Sequence, residues 1–140
     1  MEINVSKIKD SSVLEEAHKI RHEVFVLEQN VDESEEYEFE GESTHFIAMV
    51  DGQYAGTARW RITDKGVKLE RFAVKKEYRS LGLGSYLLST IINDIPEEYH
   101  YLYLHAQLTA MGLYAKYDFI VEGEMFEEAG IKHYKMVLKR

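Results

Sequence analysis

The stretch Leu69 to Ser85, reading LERFAVKKEYRSLGLGS, constrains the fold more than any other part of the chain. Leu69, Phe72, Ala73 and Val74 read as a strand, which runs into a polar loop carrying Arg79, Gly82 and Gly84; the loop opens directly into a helix. That helix is defined by Leu87, Leu88, Ile91, Ile92 and Ile95 and is stopped by Pro96. Strand, glycine loop and helix in immediate succession put a helix N-terminus at the end of a sheet strand, the arrangement of an α/β layer.

The flanking sequence extends the pattern. Ser12 and Glu15 have capping-box spacing, and Val13, Leu14, Ala17, Ile20, Arg21, Val24 and Phe25 recur at helical period. From His45 the period changes to that of strands. Phe46–Val50 ends in Asp51-Gly52, a hairpin turn; Gln53–Thr63 is its partner; Asp64-Lys65-Gly66 turns again into Val67–Val74. Beyond Pro96 the pattern predicts a strand over Tyr101–Ala106, a short helix over Thr109–Tyr117, and strands over Phe119–Glu124 and Lys132–Leu138. The fold class is therefore α/β: a mixed, mostly antiparallel sheet flanked by helices. At 140 residues it forms one domain over 1–140.

The loop has a chemical reading. Helix N-termini carry unpaired backbone N–H groups and about half a positive charge, so they attract phosphates, and glycines let a phosphate approach the backbone. Lys75, Lys76 and Arg79 add cations in a chain whose formal net charge is −8. On the glycines alone, a plain strand-to-helix connection explains the loop equally well. The spacing matches neither the dinucleotide G-x-G-x-x-G nor the P-loop G-x-x-x-x-G-K-[ST].

Arg79-x-x-Gly82-x-Gly84 after a strand ending Ala73-Val74 closely resembles the [RQ]-x-x-G-x-[GA] signature of the GCN5-related N-acetyltransferase superfamily. Leu113-Tyr114-Ala115-Lys116-Tyr117-Asp118-Phe119 is similar to its downstream F-Y-x-x-x-G-F segment. Arg21 to Gln29 and Leu104-His105-Ala106-Gln107 resemble its ElaA-like and YjcF-like branch. The element order fits over nearly the whole chain. The resemblance implies acetyl-CoA as cosubstrate, with its pyrophosphate on Arg79, Ser80, Leu81, Gly82, Leu83, Gly84 and Ser85. It further implies that the backbone of Phe72, Ala73 and Val74 pairs with the pantetheine arm and polarises the thioester carbonyl, and that Gln107, Tyr114 and Tyr117 complete the cofactor contacts. Two positions depart from the family pattern: Asp118 stands where glycine is usual, so the short helix needs another way out, and Gln107 stands where many members have asparagine.

Acetyl transfer to an amine needs a free-base amine, a polarised carbonyl and a proton for the departing thiolate. An alkyl ammonium with a pKa of about 10 is free base in only about one molecule in a thousand at neutral pH, so a base helps. Glu70 is the expected base, with a salt bridge to Arg59 or Arg61 as the competing reading. Tyr114 matches the family's acid, with a core aromatic as the alternative. Glu28 and His105 are expected along the substrate cleft; a solvated carboxylate and a hydrogen-bonded core histidine are their plainer readings. The acidic run Asp32–Glu42 either steers a cationic amine or is a solvated loop.

Other chemistries drop out. The chain has no cysteine, hence no thiol nucleophile or thiolate metal site, and an acyl-enzyme on cysteine is excluded. His18 and His22 do not form H-E-x-x-H, so no metal is expected and these read as surface histidines. The acidic balance argues against nucleic acid, and nothing approaches the ~20 apolar residues needed to span a bilayer. A cytoplasmic enzyme is expected, with acetyl-CoA and a small-molecule or protein amine as partners. The alternative is a non-catalytic acyl-CoA-binding or regulatory module of the same fold. A homodimer is common in that family, and no sequence feature here establishes one.

Overall fold

Two apolar faces, one on each side of a twisted sheet, organise the chain. A computed structural model describes every residue except Tyr37, and describes the backbone alone for Glu35 and Glu36. The chain begins with a strand that period alone does not reveal, β1 (Ile3–Lys7), which forms an edge antiparallel to β2 (Ser43–Val50). Between them lie α1 (Ser11–Arg21), a π-helical continuation over His22–Glu28, and α2 (Glu33–Glu36). The N-cap of α1 is Asp10, whose carboxylate accepts from Ser12 N at 2.8 Å and from its hydroxyl at 2.7 Å. The expected Ser12–Glu15 box is thus replaced by a charged cap at the positive end of the helix dipole, a stronger acceptor than a hydroxyl.

The meander follows as read: β3 (Gln53–Ile62) and β4 (Val67–Val74) pair antiparallel, and Asp51 and Gly52 both take positive φ, as a two-residue hairpin turn requires. Then come α3 (Leu83–Asp94), β5 (Tyr101–Gln107), α4 (Met111–Ala115), β6 (Ile120–Val121), β7 (Phe126–Glu128) and β8 (Ile131–Lys139). The strand expected over Phe119–Glu124 shrinks to two residues because Gly123 at φ 88° turns the chain, and a separate β7 hairpin closes onto β8. Strand order is β1-β2-β3-β4-β5-β8-β6, with β7 also on β8, and among the described residues the only parallel pair is β4–β5.

One face of the sheet packs on Leu83, Leu87, Leu88 and Ile91 of α3, the other on Ala17, Ile20, Val24 and Phe25 of the first helical segment. Alternation in β4 is interrupted at Arg71, whose φ of 59° marks a bulge: Ala58 of β3 stands opposite both Arg71 and Phe72. Before the bulge Val67 and Leu69 join the α3 core; after it Phe72 and Val74 pack there and Ala73 turns to the α1 core. The bulge therefore returns Phe72 and Val74 to the α3 face that strict alternation from Leu69 would have given to Arg71.

Candidate active site

Strands β4 and β5 are paired only at Val67–Leu102 and Lys68–Tyr103. Beyond these residues they splay apart, leaving the facing backbone edge of β4 without a ladder partner. A cavity of about 450 Å³ occupies the gap, lined by Glu70, Phe72 and Val74 on one side and His105 and Gln107 on the other, with Tyr114 and Glu128 also in its wall. A second cavity, of about 240 Å³, sits against Arg79, Ser80, Gly82, Leu83 and Ser85. Val74, Gly84 and Leu113 line both, so the two are adjacent parts of one groove.

The loop end of the groove is the N-terminus of α3. Gly82 caps α3 in the left-handed conformation, φ 84°, and no side chain among the described residues satisfies the first free N–H groups of the helix. A Cβ at Gly82 would meet nothing within 4 Å, so glycine is needed there for conformation; at Gly84 a Cβ would come within 3.1 Å of Leu113 Cδ2, so space decides. Ser80 shares the left-handed region at φ 69°, and Leu81 is solvent-exposed. Arg79 Nε donates to the Val74 carbonyl at 3.0 Å, and its two terminal nitrogens donate to both oxygens of Glu28 at 2.6 and 2.8 Å. Those hydrogen bonds hold the Glu28 carboxyl below its ordinary range. Glu28, expected along the acceptor cleft, is thus placed instead at the loop before α3, against Arg79.

At the other end, Glu70 is enclosed by cations. Arg59 Nε and Nη2 donate to Glu70 Oε1 at 3.0 and 2.7 Å, Arg61 Nε donates to the same oxygen at 2.6 Å, and Lys68 Nζ lies 3.4 Å from Oε2. Burial alone would raise the Glu70 pKa, but these charges outweigh it and hold it at about 2. A carboxylate so weakly basic is a poor proton acceptor, so the competing salt-bridge reading describes Glu70 better than the role of base.

Tyr114 is 6% exposed, and its phenol is pushed above its ordinary pKa by burial, so it carries its proton at neutral pH. Its ring stands edge-on to Phe72 with centroids 5.7 Å apart, and its hydroxyl makes no hydrogen bond among the described residues. Tyr117 lies outside both cavities and donates to the Ser85 carbonyl at 3.3 Å, bracing the first turn of α3. Ala73 is buried against α1, so only its backbone could serve a ligand. Gln107 exchanges two amide hydrogen bonds with Gln29, at 3.0 and 3.4 Å. His105 Nδ1 lies 2.7 Å from Glu128 Oε2. Asp118 leaves the short helix at φ 70°, the same left-handed conformation a glycine would take, so no alternative exit is needed.

The acidic run is only partly solvated. Glu40 is the hub of a buried ion cluster: it binds Arg21, lies 3.0 Å from His45 Nε2, 3.2 Å from His18 and 3.4 Å from Arg59, and against burial its contacts with His45 and Arg21 hold its pKa at about 2. His18 is accordingly not the surface histidine expected. Phe39 covers the Arg61 guanidinium at 3.9 Å, and Glu38 reaches the cavity wall. Tyr37, within the same run, lies outside the described residues. Glu128 and Gln29 escaped the sequence reading. Gly130 was the available signal that the chain turns just after Glu128; Ala129 and Gly130 take φ of 54° and 75° there, between β7 and β8.

A family profile described as an acetyltransferase (GNAT) domain matches residues 6–140. The uncharacterized N-acetyltransferase YjcF of Bacillus subtilis (strain 168) is 36% identical over 132 residues, 92% of this chain and 94% of that protein. The crystal structure of Escherichia coli ElaA superposes with a TM-score of 0.83 over 99% of this chain and all of that one, at 23% identity. A GNAT family acetyltransferase from Elizabethkingia anophelis, solved with acetyl-CoA bound, superposes with a TM-score of 0.75 over 99% of this chain and 98% of that one, at 15% identity. By the profile match and the YjcF identity, this chain belongs to the GNAT family of acetyltransferases.

Proposed function

We propose that residues 1–140 act as one acyl-CoA-binding domain that moves the acetyl group of acetyl-CoA directly onto a primary amine, both substrates being bound together. The observation that carries this reading is the continuous groove, with an anion cradle at one end and a buried phenol and the splayed edge of β4 at the other. A ligand that is anionic at one end and carries amide groups and a thioester toward the other suits those walls. The free N–H groups at the start of α3 and Arg79 suit the pyrophosphate. The edge of β4 that β5 leaves unpaired offers backbone groups to the pantetheine amides and, near the bulge, to the thioester carbonyl. Tyr114 supplies a proton to the departing thiolate. With no cysteine in the chain, an acyl-enzyme on sulfur does not form, and direct transfer is the simplest route.

The acceptor is a small-molecule or protein amine. Glu38 and Glu128, the cavity-wall carboxylates not enclosed by cations as Glu70 is, are the groups that would meet a cationic amine as it enters. The protein works in the cytoplasm on this reading; none of the described helices is long and apolar enough to cross a membrane. Thiol release from acetyl-CoA across a panel of amines, with CoA binding measured separately by calorimetry, tests the proposal. Amine-dependent thiol release supports it. Binding without release for any amine would make the chain a non-catalytic acyl-CoA module, and a preference for phosphorylated or carboxylated acceptors would refute the steering.

A further inference from the structure

Taking acetyl transfer as proposed above, we infer that His105 removes the proton from the acceptor amine and that Glu128 is its positioning residue. The need arises because Glu70 already has both oxygens committed to Arg59, Arg61 and Lys68. His105 lies on β5 two residues beyond the last β4–β5 pair, level with the opening of the splay, and lines the same cavity as Tyr114. Its ring is held from several sides: Glu128 Oε2 is 2.7 Å from Nδ1, Phe126 stands edge-on with centroids 5.0 Å apart, and Tyr103 lies at 6.3 Å.

The proton's place on the ring follows from the partner. The hydrogen bond from His105 is the largest influence holding the Glu128 carboxyl below its ordinary range, with Lys68 and His133 adding to it. Glu128 is therefore ionised at neutral pH and can only accept, so Nδ1 carries the hydrogen. Nε2 is then left with its lone pair and has no hydrogen-bond partner among the described residues. The charged and titratable groups around the pair are Lys68, Glu70 and Arg71 from β4, Tyr103 from its own strand, His133 and Lys135 from β8, and Glu38 across the cavity. This is a histidine oriented by a carboxylate, in a cavity that a protonated phenol also lines.

The steps balance. Nε2 takes one proton from the acceptor ammonium and releases it to solvent. The free amine attacks the acetyl carbon, forming C–N; the C–S bond breaks, and the thiolate takes the Tyr114 proton. The second nitrogen proton returns to the Tyr114 oxygen. The sum is an ammonium plus a thioester giving an amide, a thiol and one proton.

The test uses the full chain, acetyl-CoA and the best amine of the panel, with kcat/KM measured from about pH 5.5 to 9.5 for wild type, His105→Gln and Glu128→Gln. His105→Gln should lower kcat/KM at pH 7 by at least about a hundredfold and replace the wild-type acid limb with a rise that follows the ionisation of the amine itself, the deficit narrowing at high pH where the amine is already free base. Glu128→Gln should shift the acid limb to lower pH, because the charge that favours the protonated ring is gone. In proton NMR titrations without substrate, the histidine resonance that disappears in His105→Gln should be the one whose titration moves in Glu128→Gln. A thermal shift with CoA establishes that each variant is folded. Glu128 is 41% exposed, so that variant keeps the test alive should His105→Gln fail to fold. An acid limb unchanged in folded His105→Gln, or a His105 resonance and an acid limb both indifferent to Glu128→Gln, overturns the assignment while acetyl transfer stands. A wild type that binds acetyl-CoA and acetylates no amine overturns both readings together.

Discussion

Replacing Glu70 with glutamine separates stability from catalysis at this site. In the native chain Glu70 neutralises Arg59, which is completely buried, and its pKa falls from 4.5 to about 2. At about 1.4 kcal/mol per unit this amounts to about 3 kcal/mol of stabilisation of the ionised form, an upper figure for a buried pair. Glutamine keeps the shape and loses the charge, leaving Arg59 with Glu40, at 3.4 Å, as its remaining carboxylate. Breaking one partner of a buried pair costs about 3–5 kcal/mol, in line with that figure. For a chain of this length the corresponding fall in Tm is about 10–20 °C. The sign with pH is fixed: a lowered carboxyl pKa gives stability that is full above the unfolded value near 4.5 and disappears as pH falls toward about 2. The difference in Tm between wild type and Glu70→Gln should therefore be full at pH 7 and shrink below about pH 4.5. The assay is differential scanning calorimetry over pH, with turnover measured well below either Tm. Turnover per folded molecule should stay within about threefold of wild type. A Glu70→Gln protein that melts within a few degrees of wild type but has lost turnover a hundredfold would refute the reasoning and return Glu70 to the role of base.

Tyr114→Phe should lower turnover at least about tenfold with CoA affinity nearly unchanged in calorimetry, since it removes only the proton donor from a site already shaped by ring packing. Arg79→Glu should weaken CoA by more than about tenfold, whereas Glu28→Gln should tighten it several-fold, because Glu28 occupies both terminal nitrogens of Arg79 that the pyrophosphate would use. Unchanged affinity in both variants would remove the phosphate site. Glu40, also held near pKa 2, should contribute acid stability over the same window as Glu70, so Glu40→Gln should unfold at lower denaturant concentration at pH 7 than wild type, with the gap closing as pH falls toward 2. Equal denaturation midpoints at pH 7 would mean that the Arg21 and Arg59 charges do not depend on it.

What the sequence discloses here follows the reach of each signal. Period and turn chemistry act over a few residues, so β4 is read to both its ends and the hairpins follow. The Arg59–Glu70 pair was in reach for the same reason: counting back from the Asp64–Gly66 turn sets Arg59 opposite Glu70 in the meander. β1 was not in reach, because only Ile3 and Val5 of its five residues alternate inward and its partner lies more than forty residues away. The site divides along the same line. The anion cradle is one contiguous segment, and Arg79, Gly82 and Gly84 stand together in the chain as they do in space. The proton-transfer end is assembled from β4, β5, α4 and the β7–β8 hairpin, and no local pattern joins His105 to Glu128. Their meeting depends on β5 pairing with β8 in one register, His105 opposite Lys135 and Gln107 opposite His133, which folds β7 back over the end of β5. The acidic run shows the same limit from the other side. Eleven residues rich in carboxylates read as solvated when counted, yet one of them, Glu40, lies where Arg21 and Arg59 converge from a helix and a strand. Those two arginines are nearly or fully buried, and a charge so placed requires a partner, so a buried cation in the core is the physical reason that one carboxylate of the run leaves the solvent.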